Sequence, residues 1–325
     1  PGTGRVAVSG SAGAQQMRAP LTFESTGPVR VAGAGGARVC GGRFELAVNV
    51  DGHFDVIETP GVDEYLRGVV PSEMPATWPS EALKAQTVAA RSEVLANIGI
   101  KHHLEGFDYC ADEHCRAYKG DAARNPGTDA AVGATAGEVI VQGGRIVPAV
   151  FHANSGGWTE NNEVIWSAPP DPVLRAVPDF LPGQAPLRGP VEMGIDRWLG
   201  STPPALTKDA PDFRWTRRVT VDDLSASVNK RYPVGRVQEI VPGERGPGGR
   251  LRSVKVLGSQ GTATIDRDPA IRAALGGLPS AMFTVRKESG MFLFSGGGRG
   301  HGVGLCQYGA RGLALQGQTY RDIVE

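Results

Sequence analysis

The chain has 325 residues, with 34 Lys or Arg against 34 Asp or Glu and a formal net charge of zero. Balanced charge without a polybasic run argues against nucleic acid or an anionic membrane as a partner. No apolar run reaches the ~18 residues of a spanning helix, so we expect no transmembrane segment in this chain. Glycine supplies 46 residues, twice its usual share of ~7%. Because 40% of the residues are apolar, the composition predicts an ordered chain rich in turns.

The pattern over residues 1–60 predicts a β-rich N-terminal part. Residues 1–20 are rich in Gly, Ala and Ser and predict either a poorly ordered start or an edge strand. Short strands separated by glycine-rich turns are predicted at 29–32, 43–50 and 54–57. Since the chain starts at Pro1, we expect any signal peptide to have been removed.

Residues 61–212 predict a core that is organised around one turn and one long helix. A helical run over 62–69 leads into a turn with prolines at 71, 75 and 79, which should stop either helix from running through. Glu73 stands on this turn. An Ala-rich helix then begins between residues 77 and 80. The spacing of five residues along one face of this helix predicts that it is central and buried. The residues are Leu83, Thr87, Ala90, Val94 and Ile98.

The rest of the chain predicts loops and a small β-rich insert. Gly143-Gly144 lies between two strand-like runs and predicts a hairpin, whose second strand leads to His152 and a glycine-rich loop. Residues 167–212 hold ten prolines and predict a long ordered loop. Residues 213–280 predict an accessory β-rich insert with two short helices, the first capped by an Asp, and residues 281–325 return to the core with a second glycine-rich loop and a helix. The tail ends at Glu325 as another helix begins, so we expect it to be cut short. The fold class is therefore α+β.

Five separated motifs occur in one order along the chain. They are YLRGVVPSEMP from Tyr65, WPSEALKAQTVAAR from Trp78, FDYC with its partner Cys115, FHANSGGWTE from Phe151, and GHGVG with QYGA from Gly300. Together they resemble the stage II sporulation protein D family (SpoIID/LytB), and several motifs in order are more specific than one. The resemblance covers residues 60–325 and implies a peptidoglycan lytic transglycosylase, or a related amidase enhancer.

The resemblance implies that Glu73 is the catalytic residue. A lytic transglycosylase uses one carboxyl group, which protonates the leaving oxygen and then takes the proton of the sugar's own 6-hydroxyl, closing a 1,6-anhydro ring. Such an acid must be protonated at working pH, and apolar surroundings raise a carboxyl pKa. Val69, Met74 and Trp78 are candidates for that apolar wall. The alternative is a glutamate that only interacts with backbone N–H groups at a helix start.

A second cluster of residues predicts a structural zinc site. Cys and His in sets of four are typical zinc ligands, and the family resemblance adds that some members hold a metal here. The predicted ligands are His103, Cys110, His114 and Cys115. The alternative is a Cys110–Cys115 disulfide in an exported protein. In either case these residues would be structural, and the catalytic chemistry would need no metal.

The two glycine-rich loops are predicted to bind substrate. Glycines allow close approach of the backbone to a sugar, and short polar side chains offer hydrogen bonds. The loop residues are His152, Ser155, Gly156, Gly157, Thr159, Glu160, Arg299, His301, Gln307 and Tyr308. A Ser–His nucleophile and a phosphate loop are disfavoured, because the chain lacks a G-x-S-x-G elbow and a GK[ST] sequence. Cys306 is predicted to be a buried thiol, with Cys40 as a candidate partner.

The leading interpretation is an exported or cell-wall-associated enzyme that acts on peptidoglycan glycan strands. It would cleave the β-1,4 bond between N-acetylmuramic acid and N-acetylglucosamine, with Glu73 in one open groove walled by residues 152–160 and 299–308. The rival is a non-catalytic peptidoglycan-binding protein that stimulates a partner cell-wall amidase. A third candidate, a zinc hydrolase, would need an open metal position near Glu73.

Overall fold

A computed structural model of the chain describes residues 4–10, 13–33, 36–49, 51–112, 115, 117–186 and 188–325. The chain forms two compact units, Pro1–Pro148 and Ala149–Glu325. Helices and several small sheets occur in both, which confirms the α+β class. Our four-part division of the chain stays a prediction. No helix within the described ranges combines the length and apolar character needed to cross a membrane.

The first unit begins with antiparallel strands. β1 (Arg5–Gly10) pairs with β2 (Gly13–Arg18), and β3 (Leu21–Gly33), β4 (Gly36–Val48) and β5 (Phe54–Thr59) form a second sheet in that order.

The second strand begins earlier than the predicted residue 43, because residues 36–42 belong to β4. The register between β3 and β4 shifts between Ser25 and Val29, and Gly42 has a φ of 104°. An irregular pairing of this kind lets a strand pass through glycines without ending.

The helices of the first unit follow this sheet. They are α1 (Val62–Glu73), α2 (Ser80–Ala96) and α3 (Pro126–Ala134), with a 3-10 turn at Asp121–Ala123. A two-residue hairpin, β6 (Val141–Gln142) with β7 (Arg145–Ile146), confirms the turn predicted at Gly143-Gly144. Both glycines have positive φ, which that tight turn requires.

The long helix is buried as predicted. Four of the five residues of the predicted face are at most 5% exposed, whereas Ile98 lies beyond the end of α2 and is 50% exposed.

Neither helix runs through the whole proline-containing turn, as predicted, but the first helix extends beyond its predicted end at residue 69. α1 continues through Pro71 and ends at Glu73, and the Met74 N–H donates to the Val70 carbonyl at 3.0 Å. Proline removes only its own N–H and disturbs the preceding turn, and Pro71 lies in the last turn, where this loss costs least. Glu73 therefore ends a helix instead of standing on a free turn.

The second unit carries the remaining strands. β8 (Phe151–His152) pairs in parallel with β15 (Leu305–Cys306). One antiparallel sheet has the order β13 (Phe283–Glu288), β14 (Met291–Gly296), β9 (Trp215–Thr220), and another has β10 (Val237–Pro242), β11 (Ser253–Gly258), β12 (Thr262–Asp266).

Seven short helices complete the second unit. They are α4 (Asn162–Ile165), α5 (Pro190–Met193), α6 (Ile195–Leu199), α7 (Val221–Asn229), α8 (Asp268–Ala274), α9 (Gln307–Leu315) and α10 (Tyr320–Val324). The cap of α7 differs from our prediction of an Asp. It is Thr220, whose hydroxyl accepts the Asp223 N–H at 3.1 Å. The largest apolar core of this unit packs α7 and α8 against both sheets.

Candidate functional site

Glu73 lies at an ordered junction between α1 and α2. Its neighbours Val70 and Met74 are 0% and 1% exposed, whereas Glu73 itself is half-buried. The turn after it closes with a hydrogen bond from the Trp78 N–H to the Pro75 carbonyl at 3.0 Å. Apolar anchors on both sides therefore restrict the backbone that carries the carboxyl group.

A buried arginine ties the three helices of this unit together. Arg91 of α2 is 1% exposed, and its Nε donates to Asp63 of α1 at 2.9 Å. Its other nitrogens donate to the carbonyls of Val132 at 3.3 Å and Glu138 at 3.1 Å. No motif in the sequence assigns this residue a role, although a charged residue on an Ala-rich helix is a signal. The helix that follows Glu73 is therefore held against both α1 and α3.

The first unit also contains a cluster of metal-ligand residues. The ligand atoms of His102, Cys110 and Cys115 all lie within 4.8 Å of one another. Tetrahedral zinc bound by sulfur and nitrogen places its ligand atoms ~3.6 Å apart, given the usual bond lengths. The separation of His102 Nε2 and Cys115 Sγ is 3.1 Å, so small shifts would accommodate an ion. The donor set therefore fits zinc.

A carboxylate orients the histidine of this cluster. His102 Nδ1 lies 2.9 Å from Glu105 Oε2, and its ring stacks on Phe107 with centroids 4.7 Å apart. Metal-binding histidines typically use their second nitrogen in this way. Nε2 is thereby directed at the two cysteines.

The structure corrects one member of the predicted ligand set. His103 is exposed and its Nδ1 lies 3.1 Å from the Ile100 carbonyl, whereas the neighbouring His102 faces the cysteines. His114 falls outside the described residues, so its role stays a prediction. Neither Cys110 nor Cys115 is in a disulfide among the described residues, and burial raises the pKa of Cys110 to about 11.

The two glycine-rich loops of the second unit lie side by side. The parallel pair β8–β15 sets Cys306 opposite His152. Two reciprocal backbone hydrogen bonds join Asn154 and Arg299, at 3.1 and 2.8 Å, and the Glu160 N–H donates to the Gly302 carbonyl at 2.7 Å. Loops separated by more than a hundred residues thus form one surface within this unit.

Several predicted substrate-binding side chains are buried in the loop framework. Ser155 is 0% exposed and its hydroxyl donates to Asp179. Glu160 is also 0% exposed and accepts the backbone N–H groups of Asn161, Gly248 and Arg250 at 2.9, 3.2 and 3.1 Å. The other buried members are His152, Gly156, Gly157, Thr159 and Gln307. Their polar groups contribute to the fold, and a role in substrate binding stays a prediction.

This framework contains buried charges. Arg250 is fully buried and donates to the carbonyls of Ser155 and Trp158 at 3.2 and 3.3 Å. Burial raises the pKa of Glu160, and the nearby charge of Arg250 lowers it in part. Burial also holds the pKa of His152 well below its ordinary value, helped by His301 and Arg250. His152 is therefore neutral near pH 7, and its Nδ1–H donates to the Val303 carbonyl at 3.1 Å.

Arg299, His301 and Tyr308 reach the surface of the same loops. The Arg299 side chain is 52% exposed and forms an ion pair with Asp212, whose carboxylate lies 2.6 Å away. His301 accepts the Val303 N–H through Nδ1 at 3.1 Å, and its ring packs on Trp166. These three side chains are the accessible part of the predicted set.

Three residues outside the predicted set, Asp179, Asp212 and Arg250, support the loops from elsewhere in the second unit. They lie in a proline-rich loop and in the predicted insert, where no local pattern singled them out. Cys306 is a buried free thiol, as predicted. Cys40 is also a buried free thiol.

Comparison with known families identifies two regions. Residues 50–142 match the family described as Stage II sporulation protein (SpoIID). Residues 160–304 match a domain of unknown function, DUF8618.

Curated relatives cover most of the chain at low identity. It is 28% identical over 272 residues to an uncharacterised protein of Brachyspira hyodysenteriae, over 287 residues to the amidase enhancer of Bacillus subtilis, and over 283 residues to stage II sporulation protein D of the same organism. These alignments cover 83%, 80% and 83% of this chain. The chain spans 66%, 39% and 73% of those proteins, so it is less than two thirds of the first two.

Proposed function

We propose that this chain, which belongs to the SpoIID family, is a peptidoglycan lytic transglycosylase. The substrate would be the glycan strand, cleaved between N-acetylmuramic acid and N-acetylglucosamine to leave a 1,6-anhydro end. The observation that carries the proposal is the placement of Glu73, which falls inside the SpoIID region and ends α1 between two buried apolar residues. A single carboxyl group in a restricted position is what this chemistry needs.

The reaction uses Glu73 twice. Its carboxyl group first protonates the glycosidic oxygen as the bond to the muramic acid anomeric carbon breaks. The resulting carboxylate then takes the proton of the sugar's 6-hydroxyl, whose oxygen forms the new bond to the anomeric carbon. The proton returns to Glu73 and no water is consumed, so atoms and charges balance. General acid–base help of this kind contributes ~10² to 10⁴ in rate.

The metal-ligand cluster has a structural role in this proposal. His102, Cys110 and Cys115 would hold zinc together with one further ligand, for which His114 is the candidate. A closed four-ligand site supplies folding free energy and no open position for a substrate. The cluster would stabilise the loop that follows α2.

Export to the cell wall is part of the same proposal. A peptidoglycan-cleaving protein has its substrate outside the cytoplasm, and the relatives named for sporulation and for amidase enhancement support a cell-wall role.

The test is the mass of the products after purified glycan strands are digested. Lytic cleavage gives fragments that carry a 1,6-anhydro end in place of a reducing end and are lighter by one water than the hydrolytic products. Fragments with ordinary reducing ends would contradict the transglycosylase assignment and indicate a hydrolase.

The second candidate is a non-catalytic amidase enhancer, favoured by the match to the amidase enhancer of Bacillus subtilis. It predicts intact glycan strands after digestion, together with a faster cell-wall amidase when this chain is added. The same digestion therefore separates the two functions.

A further inference from the structure

A cavity of about 420 Å³ opens in the second unit, between α6 and the sheet β13–β14–β9. Its volume lies within the ~300–1,000 Å³ typical of small-ligand sites. Neither glycine-rich loop contributes its predicted binding side chains to the lining. The cavity is therefore separate from the loop surface described above.

The floor of the cavity is a row of three hydroxyl groups. Ser295 of β14 is the direct cross-strand partner of Thr284 on β13 and of Thr216 on β9, and all three line the cavity. Opposed residues on one face of a sheet have Cβ atoms ~5 Å apart. Among the described residues, none makes a hydrogen bond to these three side-chain hydroxyls. The row is thus open to a ligand that carries several hydroxyl groups.

Arg214 contributes an uncompensated positive charge to the wall. Its guanidinium donates to four backbone carbonyls, those of Phe213, Gly156, Trp198 and Ser201, at 2.8, 2.9, 3.0 and 3.1 Å. Carbonyls fix its position without neutralising it, and within the described ranges no carboxylate pairs with it. Burial lowers its pKa to about 10, so it stays charged at neutral pH.

Two further charged side chains line the cavity, Arg286 of β13 and Asp196 of α6. Arg286 is exposed and its Nε lies 2.6 Å from Glu288 Oε1. The charged side chains of the lining itself sum to one positive charge, part of which is offset by Glu288, which pairs with Arg286 from outside the lining. Asp196 argues against a simple oxyanion as the ligand, because it would repel one, yet it accepts hydrogen bonds from hydroxyl groups.

We propose that this cavity binds a saccharide that carries a carboxylate. The carboxylate lies beside Arg286 and Arg214, where guanidinium N–H groups give charge-assisted hydrogen bonds. The ring hydroxyls contact the row of Thr216, Ser295 and Thr284 and the carboxylate of Asp196. The carboxylate and the ring hydroxyl groups of the ligand both follow from the residues that line the cavity. Binding at this cavity is independent of cleavage at Glu73.

NMR titration of the whole chain with D-glucuronate and with D-glucose tests the proposal. The two sugars share the ring and differ only in the carboxylate. We expect glucuronate to bind and glucose to bind about tenfold more weakly, the loss that accompanies one charge-assisted hydrogen bond. Equal affinities would overturn the proposal, and so would binding of inorganic phosphate in place of glucuronate.

Matched variants locate the site. Arg286→Gln is expected to weaken glucuronate binding about tenfold, whereas Arg218→Gln should leave it unchanged. Arg218 is exposed and lies in the same cross-strand row as Arg286, on the other side of Leu293, but does not line the cavity. Likewise Thr284→Val should weaken binding and the exposed Thr264→Val on β12 should not.

Equal losses in the cavity and control variants would overturn the assignment. Melting curves confirm that each variant is folded. The Glu73→Gln chain should bind glucuronate as the parent does, so a failure of this site and a failure of the proposed cleavage are measured separately.

Discussion

The hydroxyl of Ser155 donates a hydrogen bond to Oδ2 of Asp179 over 2.5 Å, and both side chains are buried. The thiol of Cys306 also contacts Asp179, so two loops and a proline-rich segment meet at one carboxylate. Burial raises the pKa of Asp179, and the hydrogen bonds from Cys306 and Ser155 lower it in part. No cationic side chain within the described part of the chain contributes to its pKa. The ionised form therefore has less stabilisation than the protonated one.

This arrangement predicts how stability depends on pH. Because the folded-state pKa of Asp179 is above the unfolded value of ~3.9, its contribution is full below that pH and is lost as the pH rises through the folded pKa. Asp179→Asn removes this dependence. We expect the free energy of unfolding of the variant, relative to the parent, to rise as the pH increases above about 4. Urea unfolding at several pH values measures it, with the exposed Asp209→Asn as control. A relative stability that falls with pH would contradict the cause assigned here.

The catalytic assignment predicts the effect of Glu73→Gln. The amide keeps the size of the side chain but cannot transfer the proton, so strand cleavage should fall by ~10² or more with an unchanged melting temperature. Glu81→Gln is the matched control, since Glu81 lies in the first turn of the following helix and pairs with Lys84 at 2.7 Å. It should keep activity within a few-fold. Cleavage that survives in the Glu73 variant would remove Glu73 from the mechanism.

The metal cluster predicts a difference between adjacent histidines. The purified chain should contain about one equivalent of zinc by elemental analysis. His102→Ala and Cys115→Ser should lower both the zinc content and the melting temperature, whereas His103→Ala should change neither, because His103 faces away from the thiols.

The reverse pattern for the two histidines would restore the ligand set that the sequence predicted. Absence of zinc, with two fewer free thiols than the four cysteines allow, would instead favour the Cys110–Cys115 disulfide.

Gly302 predicts a steric effect on the buried arginine. A Cβ at this position would lie 2.1 Å from Arg250 Cζ, and its φ of 82° is one that side chains rarely adopt. Gly276 has a similar φ of 89° but open space around it. Gly276→Ala therefore measures the backbone strain alone. Gly302→Ala should destabilise by about 1–3 kcal/mol more, the usual cost of overpacking a core. Equal losses in urea unfolding would mean that Arg250 moves aside freely.

Local sequence patterns correctly predicted the elements whose structure depends on residues close together in the chain. The two glycines at 143 and 144 permit one tight turn, and the Ala-rich sequence of α2 packs on several sides at once. Cys306 followed by a helical pattern predicted both the start of α9 and a buried thiol. In each case the deciding interactions lie within a few residues along the chain, or depend on apolar character alone.

Other predictions failed where a distant contact decided the outcome. The helix passes Pro71 because Val70 and Met74 are anchored in a core that local propensity does not describe. His102 was passed over in favour of His103, since two adjacent histidines look alike in a sequence. Glu105 and Phe107 distinguish them only when the loop is folded.

The sequence by itself determined the composition of the α+β fold, the motif order that identifies the family, and the position of Glu73 next to a long buried helix. Tertiary structure alone decided which polar side chains support the loops and which remain accessible. Glu160 receives the backbone N–H of Arg250 from 90 residues away, and Asp179 receives the Ser155 hydroxyl from a proline-rich segment. The physical reason is that a buried polar group must find a hydrogen-bond partner. The partner depends on which segments meet in the folded protein, and the spacing of residues along the chain does not predict it.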